Sequence, residues 1–342
     1  MNLAAPRGRE ADIAAFLAGT GWAGAARRRI AGDASLRRYD RLSRDGASVV
    51  LMDAPPPEED VRPFVAVAGL LRRAGLSAPA ILAADERRGL LLLEDFGDDT
   101  YSRLLAAGAA EAPLYELAVD VLAALRRQVP AEAVAGLPAF DEPAILAGVE
   151  RFVDWYWPAV AGAPADAALR DSFRAAWRAV LPRRHALPDG MALFDYHVDN
   201  LMLLPGRAGV AACGLLDFQG AVRAPLCFDL MSLVEDARRD LSPGLAERLV
   251  ARYRAAFPED GDDAFATAWA VMGAQRHVRI LGTFARLRVR DGKAGYSRHM
   301  PRVWGYLEAA AAHPALAPVA AWLDARLPAA WRGLPAALQD RR

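Results

Sequence analysis

Three residues have the types and the order that phosphoryl transfer requires: Asp195, Asn200 and Asp217. In that chemistry one aspartate accepts the proton of the attacking hydroxyl. An asparagine and a second aspartate hold the Mg2+ that bridges the nucleotide phosphates. Asp195 precedes Asn200 by five residues, and Asp217 follows the apolar Gly214-Leu215-Leu216. Between them, two apolar runs at 201–204 and 210–216 flank Pro205-Gly206-Arg207-Ala208-Gly209, a pattern that predicts a short hairpin. Such a hairpin can bring all three residues to one end. Turn formation and helix capping account well for Asn200 but poorly for Asp217, which closes an apolar strand.

The 342 residues suffice for one large or two moderate domains, and the 54% hydrophobic content allows a sizeable core. Acidic and basic residues balance at 42 each, which argues against a general nucleic-acid or membrane-surface binder. No run of roughly 18 apolar residues is present, so no membrane span is expected. The first residues lack an apolar signal-peptide core, which makes the cytoplasm the expected compartment. Cys213 and Cys227 cannot form a disulfide framework or a metal motif. Lys293 is the only lysine. Kinases contact the nucleotide α- and β-phosphates with a third-strand lysine. A kinase built from this chain must therefore use an arginine or backbone amides there.

The supporting elements follow from periodicity. A helix is predicted over 9–20, then three strands over 27–53, with turns at 31–35 and at Asp45-Gly46. Gly32, Ala34 and Ser35 would let backbone N–H groups approach phosphates, with Arg37 or Arg38 supplying cationic charge. Met52 falls where a third-strand lysine would stand. Glu58-Glu59-Asp60 marks the expected start of a helix that ends near Gly75, and one of the glutamates either pairs with an arginine or serves the helix dipole. Strands at 80–84 and 89–93 run into Glu94, Asp95 and Phe96, whose backbone groups would hydrogen-bond an adenine. Beyond residue 100 the pattern is helical. The aromatic stretch 150–157 suits either a sugar-stacking surface, with Glu150, Asp154 and Trp155, or core packing. Asp229 is expected to cap a helix and brace the catalytic loop. Along the helix 263–290, Arg276, Arg279, Arg286 and Arg290 lie opposite an apolar stripe, as a solvated face or as an anion-binding surface. Tyr196, His197, Arg276 and Arg286 complete the candidate substrate contacts.

The stretch 193–219 resembles the aminoglycoside phosphotransferase and protein-kinase-like superfamily. The usual loop there is H-x-D-x-x-x-x-N, and Leu193 stands in place of its histidine. Gly-Asp-Ala-Ser-Leu-Arg-Arg-Tyr (32–39), Val-Leu-Met-Asp-Ala-Pro-Pro (50–56), Leu-Leu-Glu-Asp-Phe-Gly-Asp (92–98), Leu-Leu-Asp-Phe-Gln (215–219) and Gln-Arg-His-Val-Arg-Ile-Leu-Gly-Thr-Phe-Ala-Arg-Leu (275–287) together look like one branch. That branch is the anomeric N-acetylmuramate/N-acetylglucosamine kinases of bacterial cell-wall recycling. The resemblance implies an α+β, bilobal protein-kinase-like fold, with a small antiparallel-sheet N-lobe over 1–96 and a larger helical C-lobe over 97–342. It implies ATP and Mg2+ as cofactors and phosphorylation of the C1 hydroxyl of an amino sugar, N-acetylmuramate and/or N-acetylglucosamine. The lactyl carboxylate of N-acetylmuramate would need a cationic partner, and the arginines of 276–290 are candidates. The competing readings are a kinase of another small molecule (aminoglycoside, choline or amino acid) and a non-catalytic nucleotide-binding module.

Overall fold

The computed structural model describes residues 7–30, 36–293 and 295–339. The expected turn at 31–35, with Gly32, Ala34 and Ser35, lies outside the described residues. The chain forms two compact units: Met1–Gln128 with Val198–Gly220, and Val129–His197 with Ala221–Arg342. A division at 96/97 follows chain order, whereas packing groups residues 97–128 and the 198–220 hairpin with the N-terminal sheet. The α+β class is as expected.

In the first unit, helix α1 (Arg7–Thr20) precedes strands β1 (Ala26–Arg29), β2 (Arg38–Arg44) and β3 (Ala47–Asp53). Helix α2 (Arg62–Arg73) and strands β4 (Ile81–Asp85) and β5 (Leu90–Glu94) follow. The five strands pair antiparallel in the order β1-β2-β3-β5-β4. The β2–β3 turn works because Asp45 and Gly46 both adopt positive φ, 51° and 80°. Side chains alternate between the two faces of a strand. Leu42, Val49, Leu51, Leu90 and Leu92 pack with Ile13 and Leu17 of α1. Leu51→Ala would cost roughly 2–5 kcal/mol by leaving a cavity there. Tyr39, Arg41, Val50 and Leu93 face the other way, into a cavity. Gly89 turns β4 into β5 at φ 63°, and an added Cβ would lie 1.9 Å from the Ala54 carbonyl oxygen.

Helix α2 buries Phe64, Val67, Ala68 and Leu71, the i, i+3, i+4, i+7 stripe. It begins at Arg62, four residues later than expected, so Glu58, Glu59 and Asp60 are not in its first turn. Asp60 instead accepts the Arg62 N–H at 3.0 Å, a local bond that competes with helix. The helix stops where Leu76 N–H bonds Leu71 O (3.0 Å) and Gly75 N–H bonds Arg72 O (3.1 Å), with Gly75 at φ 73°. The predicted hairpin forms from Leu201–Leu203 and Cys213–Leu215, in register Leu201↔Leu215. Bridges Ser77↔Gly214 and Thr100↔Met202 join it to the rest of this unit.

The second unit is helical apart from a two-stranded ladder of Asp189–Ala192 and Val222–Pro225. Its centre is the helix Asp262–Val289, 28 residues long, which buries Ala268, Val271, Ala274, Val278, Leu281 and Ala285. At Gly282 an added Cβ would lie 2.4 Å from the Arg151 carbonyl carbon, so only glycine allows this crossing. The helix Glu142–Arg151 widens at that crossing into a π-turn, Phe152–Tyr156.

Candidate active site

The first unit holds a cavity of about 330 Å³. Its lining includes Tyr39, Val50, Phe64 and Leu93, the segment Glu94–Asp98, and Asn200 and Asp217. The hairpin explains the last two. Leu216 N–H bonds Asn200 O at 2.9 Å, which sets both residues at the open end of the ladder. Asp217 then takes φ 53°, a conformation that L residues adopt rarely and that tends to be kept at functional positions. Its Oδ1 accepts Gln219 Nε2 at 2.5 Å.

Arg37 stands 3.7 Å from Asp217 Oδ1 and 3.4 Å from Glu59 Oε2. Glu59 also accepts the Leu36 N–H at 3.2 Å. Parity explains why Arg37 rather than Arg38 is here. Tyr39 and Arg41 share Arg37's face and line the cavity, whereas Asp40 and Leu42 turn away with Arg38. Met52 is fully buried on the Val50 side of β3 and carries no charge. Glu94 and Asp95 already have side-chain partners. Arg207 bonds Glu94, and Arg41 bonds Asp95 at 2.6 Å. Phe96 packs against Gly214, where a Cβ would come within 2.9 Å of its ring, and under the Arg207 guanidinium.

In the second unit, Asp195 is exposed at the end of a tight turn. Its N–H bonds Leu193 O at 3.0 Å, closing a γ-turn around Phe194 at φ 78°. Asp229 accepts the N–H groups of Leu193 (2.5 Å) and Phe194 (3.0 Å). The bracing role expected of Asp229 is therefore present, but the capping role is not. The helix Phe228–Val234 has Cys227 as its N-cap, and Asp229 sits inside the first turn with its carboxylate turned to the loop. Burial pushes the Asp229 carboxyl up to about 7, against the pull of the two N–H bonds. The Phe194 ring is held edge-on by Phe140 (5.2 Å) and stacked on Phe228 (5.4 Å), and Arg279 lies 4.4 Å over it. Tyr196 and His197 are buried, at 2% and 9% exposure.

The aromatic stretch divides. Phe152 and Tyr156 are fully buried and stacked at 4.7 Å, and Trp304 Nε1 donates to Tyr156 Oη at 2.8 Å, so these rings are core. Glu150 pairs with Arg174, and Asp154 pairs with Arg170 at 2.6 Å. Trp155 is half-buried with Arg290 5.8 Å above its ring, and Arg290 itself pairs with Asp291. Arg276 is not on a solvated face; it is only 4% exposed. Arg286 is half-buried, with Nε lacking a partner. Arg279 belongs to the arginine stripe expected along the long helix. Sequence reasoning did not single out Asp236, within electrostatic reach of Arg276, or Arg151, within reach of Arg279; neither has a signal in spacing.

The model of the phosphotransferase enzyme family matches residues 26–267. The chain belongs to this family. A protein of Caulobacter vibrioides named N-acetylmuramate/N-acetylglucosamine kinase is 40% identical to this phosphotransferase, covering 94% of the present chain and 97% of its own. A protein of the same name from Pseudomonas aeruginosa is 39% identical, with 82% of each chain covered. The crystal structure of a choline/ethanolamine kinase family protein from Mesorhizobium loti matches with a TM-score of 0.59 at 15% identity, covering 92% of this chain and 99% of that one. That likeness places the phosphotransferase in the protein-kinase-like fold expected from its motifs. Among its described residues, no helix is long and apolar enough to cross a membrane.

Proposed function

We propose that this phosphotransferase transfers the γ-phosphoryl group of ATP to the C1 hydroxyl of an N-acetylated amino sugar, N-acetylmuramate and/or N-acetylglucosamine, as a cytoplasmic step of cell-wall sugar recycling. The observation that carries the nucleotide half is the cavity of the first unit, where Asn200 and Asp217 share one wall and Arg37 reaches Asp217. The names of the relatives that match nearly the whole chain support the sugar half.

The donor set fits magnesium. Asn200 and Asp217 offer oxygen only, and Mg2+ takes one or two protein carboxylates or carbonyls together with phosphates and waters. When bound, the ion neutralises phosphate charge. The chain's own residues do the rest. Backbone groups near Asp95 and Phe96 hold the adenine, since both side chains of Glu94 and Asp95 are engaged. Arg37 takes the place of the missing third-strand lysine, and Glu59 aims it as a positioning residue. Asp195, fixed by the γ-turn and the Asp229 brace, orients the sugar hydroxyl and accepts its proton. An anomeric hydroxyl is more acidic than an ordinary alcohol, so this transfer comes late and asks little of the base.

A polycationic aminoglycoside would call for unpaired carboxylates, and Glu150 and Asp154 are already matched by arginines. Phosphorus NMR of the product formed from ATP and N-acetylmuramate tests the reading. Phosphate on C1 is expected, and phosphate on the primary hydroxyl overturns it.

A further inference from the structure

Many arginines of the second unit are ion-paired: Arg170, Arg174, Arg178, Arg290 and Arg302 each lie within 4.0 Å of a carboxylate. Among the described residues the neighbours Arg151, Arg276 and Arg279 form no ion pair, and neither does Arg286 beside Arg151. Arg276 is nearly sealed from solvent, its Nε has no hydrogen-bond partner, and one terminal nitrogen reaches only the Glu235 backbone carbonyl, at 3.4 Å. Arg151 reaches only the hydroxyl of Thr283, at 3.4 Å. Arg279 rests on the Phe194 ring.

Glycines allow the three to gather. Gly282 lets the long helix touch the Arg151 backbone, and Gly148 leaves room for the Arg279 stem, whose Cδ would lie 3.3 Å from an added Cβ. The grouping is electrostatically unfavourable. Burial works against the charges of Arg276 and Arg279, the latter lowered to about 10, more than the carboxylates in reach offset; Arg276 and Arg151 add to the lowering of Arg279, and Arg238 to that of Arg276. Burial and Arg286 do the same to Arg151. The carboxylates within reach of the cluster include Asp195, Asp236 and Glu235. Asp195 stands next in sequence to Phe194. Asp236 is 2% exposed, with Oδ1 bonded to the Arg238 N–H at 2.9 Å and Oδ2 without a partner. Glu235 is held by Trp269 and His277. Desolvated cations left short of partners, beside a sealed acceptor left without a donor, are costly unless a ligand completes both.

We propose that Arg276, Arg279 and Arg151 form an anion-binding site for a carboxylate carried by the acceptor sugar, with Asp236 Oδ2 accepting a hydroxyl or amide N–H of the same molecule. The inference rests on the amino-sugar reading and adds the residues that separate an acidic sugar from a neutral one. A carboxylate of the acceptor is chosen because this cluster shares its unit with Asp195, the residue assigned to the acceptor hydroxyl, and Arg279 rests on the ring of Phe194 next to it.

The test compares two acceptors that differ by the lactyl arm, N-acetylmuramate and N-acetylglucosamine, using full-length protein. Arg276→Met and Arg279→Gln should each lower the ratio of kcat/KM for the acidic sugar to kcat/KM for the neutral one by about 10- to 100-fold, through KM. Arg276→Lys, which keeps the charge and guards against a misfolded Met variant, should restore part of the ratio. Equal losses for both sugars, or a weakened ATP Kd with the ratio intact, would overturn the site. A wild-type enzyme that phosphorylates N-acetylglucosamine but neither binds nor phosphorylates N-acetylmuramate would overturn the site while leaving the kinase reading standing.

Discussion

The cavity of the first unit and the arginine cluster of the second handle charge in opposite ways. Around the cavity the charged side chains are matched within the protein: Arg41 with Asp95 and Asp98, Arg207 with Glu94, and Arg37 with Glu59 and Asp217. In the cluster, Arg151, Arg276 and Arg279 form no ion pair among the described residues. The difference follows from the ligands assigned to each. A nucleotide that arrives with its own divalent cation suits a neutralised wall. An acidic sugar arrives with an unmatched carboxylate, so its site must keep cations in reserve.

The sharpest way to break this comparison is at Asp195. Asp195→Asn should reduce turnover by about 100- to 10,000-fold while ATP binds as before. Near-normal turnover would remove Asp195 from the mechanism. Next in size is Arg37. Arg37→Met should weaken ATP binding by about 10- to 100-fold in calorimetry and leave adenosine binding in place. Equal weakening of both ligands would make Arg37 a packing residue rather than a phosphate contact. The smallest effect concerns Asp229 and sharpens how the second unit positions its base. The unfolded chain releases this proton near pH 4, and the folded chain near pH 7. Between those values the folded state keeps a proton that the unfolded state has lost, so stability falls as pH rises through the window and the contribution is complete only below about pH 4. A series of Tm measurements should show that slope flattened in Asp229→Asn; an unchanged slope would show that the brace is not the titrating group.

The elements of the first unit were readable because their signals are local. The apolar run in 47–53, the Asp45-Gly46 turn and the two apolar runs around Pro205-Gly206 specify strands and hairpins without tertiary information. Asn200 and Asp217 followed from that hairpin. Arg37 against Arg38 was a matter of which strand face lines the cavity, which only the pairing of β2 with β3 settles. The start of α2 was misplaced because three acidic residues imitate a first turn, while Asp60 uses its carboxylate to hold the chain outside the helix. The capping expected of Asp229 failed because its carboxylate serves Leu193 and Phe194, more than thirty positions away in sequence. Least legible was the arginine cluster. Spacing placed Arg276 opposite the apolar stripe, but burial of that face by the Glu142–Arg151 helix and its π-turn is a property of packing, and Gly282, which permits it, looks in sequence like any other small residue.

The product itself gives the most direct test. With ATP, Mg2+ and N-acetylmuramate, the new phosphorus resonance should couple to the anomeric proton of the sugar. A resonance coupled instead to the methylene protons of the primary alcohol, or ADP released with no sugar ester formed, would contradict the assignment of this enzyme as a sugar 1-kinase.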